Sequence, residues 1–96
     1  MTEDTNKRLT DQLGTARWDE LIEHDRQGNV VVVAAGMDIL LVAKAVADDD
    51  TAQVQKWLDG NKLWKPTVQE QGQWQEHQPK FLCVIVRPFV LVQLST

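Results

Sequence analysis

The stretch that most constrains the fold of this chain is FLCVIVRPFVLVQL, residues 81–94, in which Arg87 and Gln93 are the only charged or amide side chains. As one extended strand, fourteen residues would span roughly 46 Å, whereas a domain of this size has a radius of gyration of only about 13 Å. The strand must therefore break, and Pro88 marks the place because it has no backbone N–H to donate. We predict two strands, residues 81–86 and 89–94.

The two strands are predicted to meet at Arg87-Pro88 through a bend, a bulge or a tight turn. A two-residue hairpin is the less favoured option, because the common hairpin turns require Gly or Asn at positive φ. Side chains alternate between the two faces of a strand, and here both faces are apolar. Such strands need a cover on each side, supplied either by helices or by a second subunit.

Local patterns predict the other elements. A β-branched run between Gly28 and Gly36 indicates a buried strand over residues 30–34, and the apolar segment that starts at Asp38 has a length that favours a helix. Capping signals predict helices after Asp50, which is followed by Gln53 and stopped by Gly60, and after Thr67, which is followed by Glu70. In the last helix, Val68 and Trp74 are the apolar residues available for burial.

The N-terminal part is expected to contain a flexible segment, residues 1–8, followed by a weak helix that runs from Leu9 to a C-cap at Gly14. Thr15 is predicted to cap a second helix whose apolar residues include Trp18 and Leu21. Together these patterns predict a single α+β domain over residues 9–96. In it, several helices pack on a short sheet of two or three strands.

Composition limits the partners and the compartment. The net charge of −4 and the absence of any basic cluster argue against nucleic acid as a partner. The longest apolar window, residues 30–47, contains Asp38 and Lys44, so no membrane span is expected. The opening MTEDTNKR lacks the apolar core of a signal peptide, and the single cysteine, Cys83, can form no internal disulfide. A cytoplasmic protein is predicted.

Several segments together resemble a bacterial family catalogued as domain of unknown function 2288. The segments are VVVV, MDILLVAKAVADDD, QVQKW, KPT, the lone Trp74 and IVRPFVLVQ. The resemblance covers about residues 9–94, although family members often have a Pro and a Glu before the central helix, where this chain has Ala35, Gly36 and Met37. It implies a bacterial cytoplasmic origin, and it implies no catalytic residue and no cofactor.

Few residues in the chain carry chemistry. Glu20 and His24 share a helix face but supply at most two metal ligands, and Cys83 has no basic neighbour to activate it, so it is expected to act as a small buried hydrophobe. Trp64 differs from the other tryptophans because it lies in a predicted loop beside lysines, where its ring can be partly exposed. Arg87 can form a structural ion pair or bind an anion.

Two hypotheses for function follow. The first is a non-enzymatic protein that acts by self-association or protein interaction, most simply a homodimer with residues 89–94 at the seam and with Trp64, Arg87, Pro88 and Phe89 as interaction residues. The alternative is a small-molecule or metal-dependent activity, since clustered carboxylates can hold a hard cation. That acidic site would combine Arg87 with the carboxylates of Asp38, Asp48, Asp49 and Asp50.

Overall fold

A mixed sheet of five strands is the centre of the computed structural model, which describes residues 13–94. In chain order the strands are β1 (Gly14–Arg17), β2 (Val30–Val33), β3 (Leu63–Trp64), β4 (Lys80–Val86) and β5 (Phe89–Leu94). Across the sheet the order is β1, β4, β5, β2, β3, with β2 and β5 parallel and the other neighbours antiparallel. The helices in this region are α1 (Trp18–Arg26), α2 (Ile39–Ala47), α3 (Thr51–Asp59) and α4 (Val68–His77).

The α+β class is confirmed, but the prediction of two or three strands is wrong, because β1 and β3 also join the sheet. The β1 sequence, GTAR, has neither β-branched alternation nor a buried face, so nothing local marks it as a strand. Its conformation is fixed by pairing with β4, from Gly14 opposite Cys83 to Arg17 opposite Lys80. β3 has two residues, fewer than a strand pattern needs to be visible.

The strand β1 also overturns two predicted helix ends. Gly14 and Thr15, expected to close one helix and open the next, both lie in β1. Helix α1 begins at Trp18, where the Glu20 carboxylate accepts a hydrogen bond from the backbone N–H of Arg17 at 2.9 Å. The predicted flexible segment 1–8 and the start of the predicted helix at Leu9 lie outside the described residues.

The predicted break in the apolar C-terminal stretch is a two-residue turn. Val86 pairs with Phe89 across the hairpin, which leaves Arg87 and Pro88 as the turn, joined by a cis peptide bond. The less favoured option is therefore the one adopted. Neither Arg87 nor Pro88 is at positive φ, so this turn does not use the backbone conformation of the common hairpin turns.

Helices cover both faces of the central strands. On one face α2 packs over Val84 and Leu91, with α3 at its side. On the other face α1 and α4 contribute Trp18 and Trp74, whose rings lie 5.1 Å apart, and Trp74 meets Phe81 edge-on at 5.0 Å. The predicted cover could come from helices or from a second subunit. Over these strands it comes from helices.

The predicted capping signals are confirmed. The Asp50 side chain accepts from the N–H of Gln53, and Thr67 and Glu70 form a reciprocal capping box at the start of α4. Trp74 is buried as expected, but the expectation for Val68 is wrong, because this side chain is 87% exposed. No helix within residues 13–94 combines the length and the apolar character that crossing a membrane requires.

Candidate functional site

The connection between α2 and α3 is a tight turn built on Asp49. The N–H of Asp50 bonds the carbonyl of Ala45, and the N–H of Asp49 bonds the carbonyl of Val46, which is the double closure of a Schellman motif. That motif requires a left-handed residue, and Asp49 has φ +57°. Asp tolerates this conformation better than most residues, and Asp50 then caps α3, so the turn uses both carboxylate residues structurally.

Helix α3 is amphipathic, yet none of its residues is fully buried. Val54 and Trp57 are half-buried against the edge of the core, and Leu58 is 42% exposed. The helix packs on α2 and on β3. Its apolar side chains therefore line an opening beside the sheet instead of being sealed against it.

This opening is a groove of about 370 Å³ between α3 and the sheet, called the α3 groove below. The sheet supplies Val31 and Leu91, the helices supply Val46, Val54 and Leu58, and aromatic rings stand at its border. Its apolar lining consists of Val31, Ala45, Val46, Val54, Leu58, Leu63, Trp64, Phe89 and Leu91. A concave apolar site of this volume, with a few polar groups around it, is typical of a binding site.

The polar groups of the α3 groove include Asp49 and Asp50 from the α2–α3 turn and Lys65 from the segment after β3. The Lys65 amine donates to the carbonyl of Gly28 at 2.6 Å, so this cation is held by the backbone. The indole N–H of Trp64 donates to the Glu70 carboxylate at 3.0 Å, which fixes the ring at the border of the groove. Since the Asp50 carboxylate caps α3, the Asp49 carboxylate is the less constrained charge here.

The structure divides the predicted interaction residues between the groove and the hairpin turn. Trp64 and Phe89 line the α3 groove, and Phe89 is 38% exposed. Arg87 and Pro88 form the exposed turn of the β4–β5 hairpin. Within residues 13–94 one ion pair is present, between Arg26 and Glu23. No carboxylate of these residues lies within 4.0 Å of the Arg87 guanidinium. The predicted structural ion pair of Arg87 is absent from this part of the molecule.

The four residues of the predicted acidic site do not converge. Asp38 caps the N-terminus of α2, where it accepts from the N–H of Leu40 at 3.0 Å. The Asp48–Asp50 run lies at the other end of the same helix, about 15 Å away along its axis. Of the run, Asp49 and Asp50 line the α3 groove. Within residues 13–94 no three His, Cys, Asp or Glu side chains group as metal ligands would.

The other reactive residues have ordinary surroundings. Burial raises the pKa of the Cys83 thiol, and the negative charge of Glu20 raises it further, so the thiol is protonated at neutral pH. This state suits the expected role of a small hydrophobe. Glu20 and His24 are both exposed on α1.

Sequence reasoning missed the α3 groove as a unit and missed Gln93. The groove lining comes from four segments that are separate in the sequence. Val31 and Val54 are only half-buried, and no local sequence pattern identifies them as groove residues. Gln93 is buried on β5, where its amide donates to the carbonyls of Ala34 at 2.8 Å and Met37 at 2.6 Å. These bonds tie the loop before α2 to the sheet, and the one amide within a long apolar strand was the available signal.

The profile of the family described as "Protein of unknown function (DUF2288)" matches residues 4–94. The fold is similar to the NMR solution structure of PA1075 from Pseudomonas aeruginosa, with a TM-score of 0.84 and 29% identity over 97% of this chain and 86% of that chain. No curated protein matches. Because this family profile matches almost the whole length of the chain, the chain belongs to the DUF2288 family.

Proposed function

We propose that this protein is non-enzymatic and acts by association, and that it forms a homodimer through the end of the molecule that carries the α3 groove. The observation that carries the proposal is an amphipathic helix with no buried residue beside an apolar groove that the described chain leaves open. Leu58 and Phe89, on opposite sides of that groove, are 42% and 38% exposed. Removing such apolar surface from water is worth roughly 25 cal/mol per Å².

The proposed seam includes only part of residues 89–94. The middle of β5, from Val90 to Gln93, is buried by the chain's own helices, and only Phe89 and Leu94 at its two ends are exposed. Phe89 is the end that lines the groove. In an isologous dimer, the same patch on each copy meets its counterpart, so the hairpin end of each subunit would lie over the groove of the other.

Sedimentation equilibrium at micromolar concentrations tests the proposal. The wild-type protein is expected to sediment with twice the 10.9 kDa mass of the chain. Leu58→Asp and Phe89→Asp place a charge in the seam and are expected to shift the protein toward monomer, because a buried unpaired charge is costly. The matched control is Leu41→Asp, an equally simple change at a leucine that is 55% exposed on α2 outside the groove.

Two results would contradict association through this surface. A wild-type protein that remains monomeric across the concentration range removes the homodimer. A dimer that Leu41→Asp weakens as much as Leu58→Asp does would place the seam elsewhere.

A small-molecule activity at the mouth of the α3 groove is the second candidate. It is supported by the groove volume, since ligand pockets commonly measure about 300–1,000 Å³, and by Asp49 and Asp50 at the mouth. Native mass spectrometry of the purified protein tests it by showing whether the chain carries an additional mass that denaturation releases. A second test is the shift in unfolding temperature on adding magnesium, manganese or an anionic metabolite. A clean mass and no shift would leave this candidate without support.

A further inference from the structure

We propose that a second copy of the chain covers the α3 groove and is held in register by charge. In this dimer Arg87 of each subunit pairs with Asp49 of the other. The inference rests on the proposed homodimer and adds its geometry, which is two equivalent ion pairs related by a two-fold axis. Each pair would flank the apolar contact made by Phe89 and Leu58.

The fold places both charges at one end of the molecule. Arg87 lies two residues before Phe89, so their Cα atoms are within about 7 Å of each other. Phe89 and Asp49 line the same groove. The topology explains this, because β2 and β5 start at the same end of the sheet and α2, which follows β2, returns the chain to that end.

Neither charge has an ionic partner within the described part of its own chain. The Arg87 guanidinium has no described carboxylate within 4.0 Å, and the Asp49 carboxylate neither pairs with a described cation nor accepts a hydrogen bond from a described residue. Asp50 differs, since its carboxylate is occupied in capping α3 at 3.2 Å from the N–H of Gln53. Asp48 has no described partner either, but it does not line the groove, so Asp49 is the groove carboxylate that is available to a partner.

A two-fold arrangement of two copies lets each of the two charges meet an opposite charge. A two-fold axis that passes between the α2–α3 turn and the hairpin turn brings each of these turns toward the other turn of the partner subunit, so one kind of contact occurs twice. Without Arg87 the acidic α2–α3 turn would meet a hairpin turn with no positive charge, on chains that each carry a net charge of −4. Arg suits the position because its planar guanidinium can bind both oxygens of a carboxylate.

Charge reversal with mixing of variants tests the pairing. Arg87→Glu alone would face Asp49 of the partner subunit twice, and Asp49→Lys alone would face the partner's Arg87 twice. Each variant is expected to raise the dimer dissociation constant about tenfold to a hundredfold, because two attractive contacts become repulsive. In an equimolar mixture the heterodimer has two attractive pairs, and sedimentation equilibrium is expected to show the dimer restored.

Two controls separate charge from folding and from position. Asp49→Asn removes the charge but keeps a residue that tolerates positive φ, so it is expected to weaken the dimer less than Asp49→Lys does. Asp48→Lys reverses the charge at the adjacent residue, which does not line the groove, and should leave the dissociation constant within about threefold of the wild-type value. Circular dichroism confirms that each variant is folded.

The outcomes distinguish this inference from the homodimer itself. A wild-type monomer overturns both. A wild-type dimer that neither reversal weakens, or two weakened variants that do not recover when mixed, overturns the Arg87–Asp49 pairing and leaves the apolar seam standing. The dissociation constant of the wild-type dimer is expected to rise as sodium chloride is added, because salt screens the partly exposed ion pairs and leaves the apolar contacts intact.

Discussion

At the scale of single residues, the run of three aspartates after α2 shows how a suggestive cluster divides into separate roles. Asp49 supplies the left-handed residue that closes α2, and Asp50 caps α3. The capping role of Asp50 follows from its spacing to Gln53, so it could be predicted. The role of Asp49 could not be predicted. The left-handed position of a Schellman motif is usually Gly, and no sequence pattern indicates that an aspartate occupies it.

Asp25 carries the pH-dependent prediction at this scale. Partial burial near the end of α1 raises the pKa of its carboxyl group, and the nearby charge of Lys65 only partly offsets that effect. A carboxyl whose folded pKa is raised favours folding when protonated, and this contribution is lost as the pH rises through the folded pKa. The ionised Asp25 is therefore expected to disfavour folding at neutral pH.

Asp25→Asn should increase the free energy of unfolding at pH 7, relative to wild type. Near pH 3, where both proteins carry a neutral side chain at this position, the difference should shrink toward zero. Urea denaturation of the two proteins at both pH values measures this difference. A larger gain at pH 3 than at pH 7 would reverse the sign and refute the assignment.

At the scale of elements, what could be predicted depended on whether the signal lay within the element. Helices α3 and α4 carry their own caps, and β2, β4 and β5 carry continuous apolar runs, so each is visible in the sequence. Strands β1 and β3 are set by the neighbours they pair with, and no residue pattern announces them. The α3 groove shares that limit, because its walls meet only in the folded molecule.

Glu70 carries the prediction for an element, since it joins the start of α4 to β3. Its carboxylate accepts from the N–H of Thr67 at 3.1 Å and from the indole of Trp64 at 3.0 Å. Glu70→Ala should lower the free energy of unfolding by about 1–2 kcal/mol, because it removes both a cap and a partner of a half-buried indole. Urea denaturation provides the measurement.

The matched control is Glu76→Ala, an exposed glutamate later in α4. That change is expected to alter the free energy of unfolding by less than about 0.5 kcal/mol. Equal effects of the two substitutions would mean that the link between α4 and β3 contributes nothing beyond helix propensity.

At the scale of the whole molecule, the apolar C-terminal stretch determines the architecture. Its break at Arg87-Pro88 and its two apolar faces predict two strands covered on both sides, and α1, α2 and α4 supply that cover. The sequence left open whether helices or a second subunit would provide it. The answer depends on how far each helix reaches over the sheet, which no local pattern encodes, and at the groove end α3 leaves apolar surface uncovered.

The central claim is that this uncovered end is the contact between two copies, and isotope-filtered nuclear Overhauser spectroscopy tests it most directly. A sample prepared from equal amounts of labelled and unlabelled chains reports only contacts between different subunits. The account predicts intermolecular signals from the Phe89 ring to apolar groove residues of the partner subunit. Intermolecular signals confined to other surfaces, or none at concentrations where sedimentation shows a dimer, would contradict it.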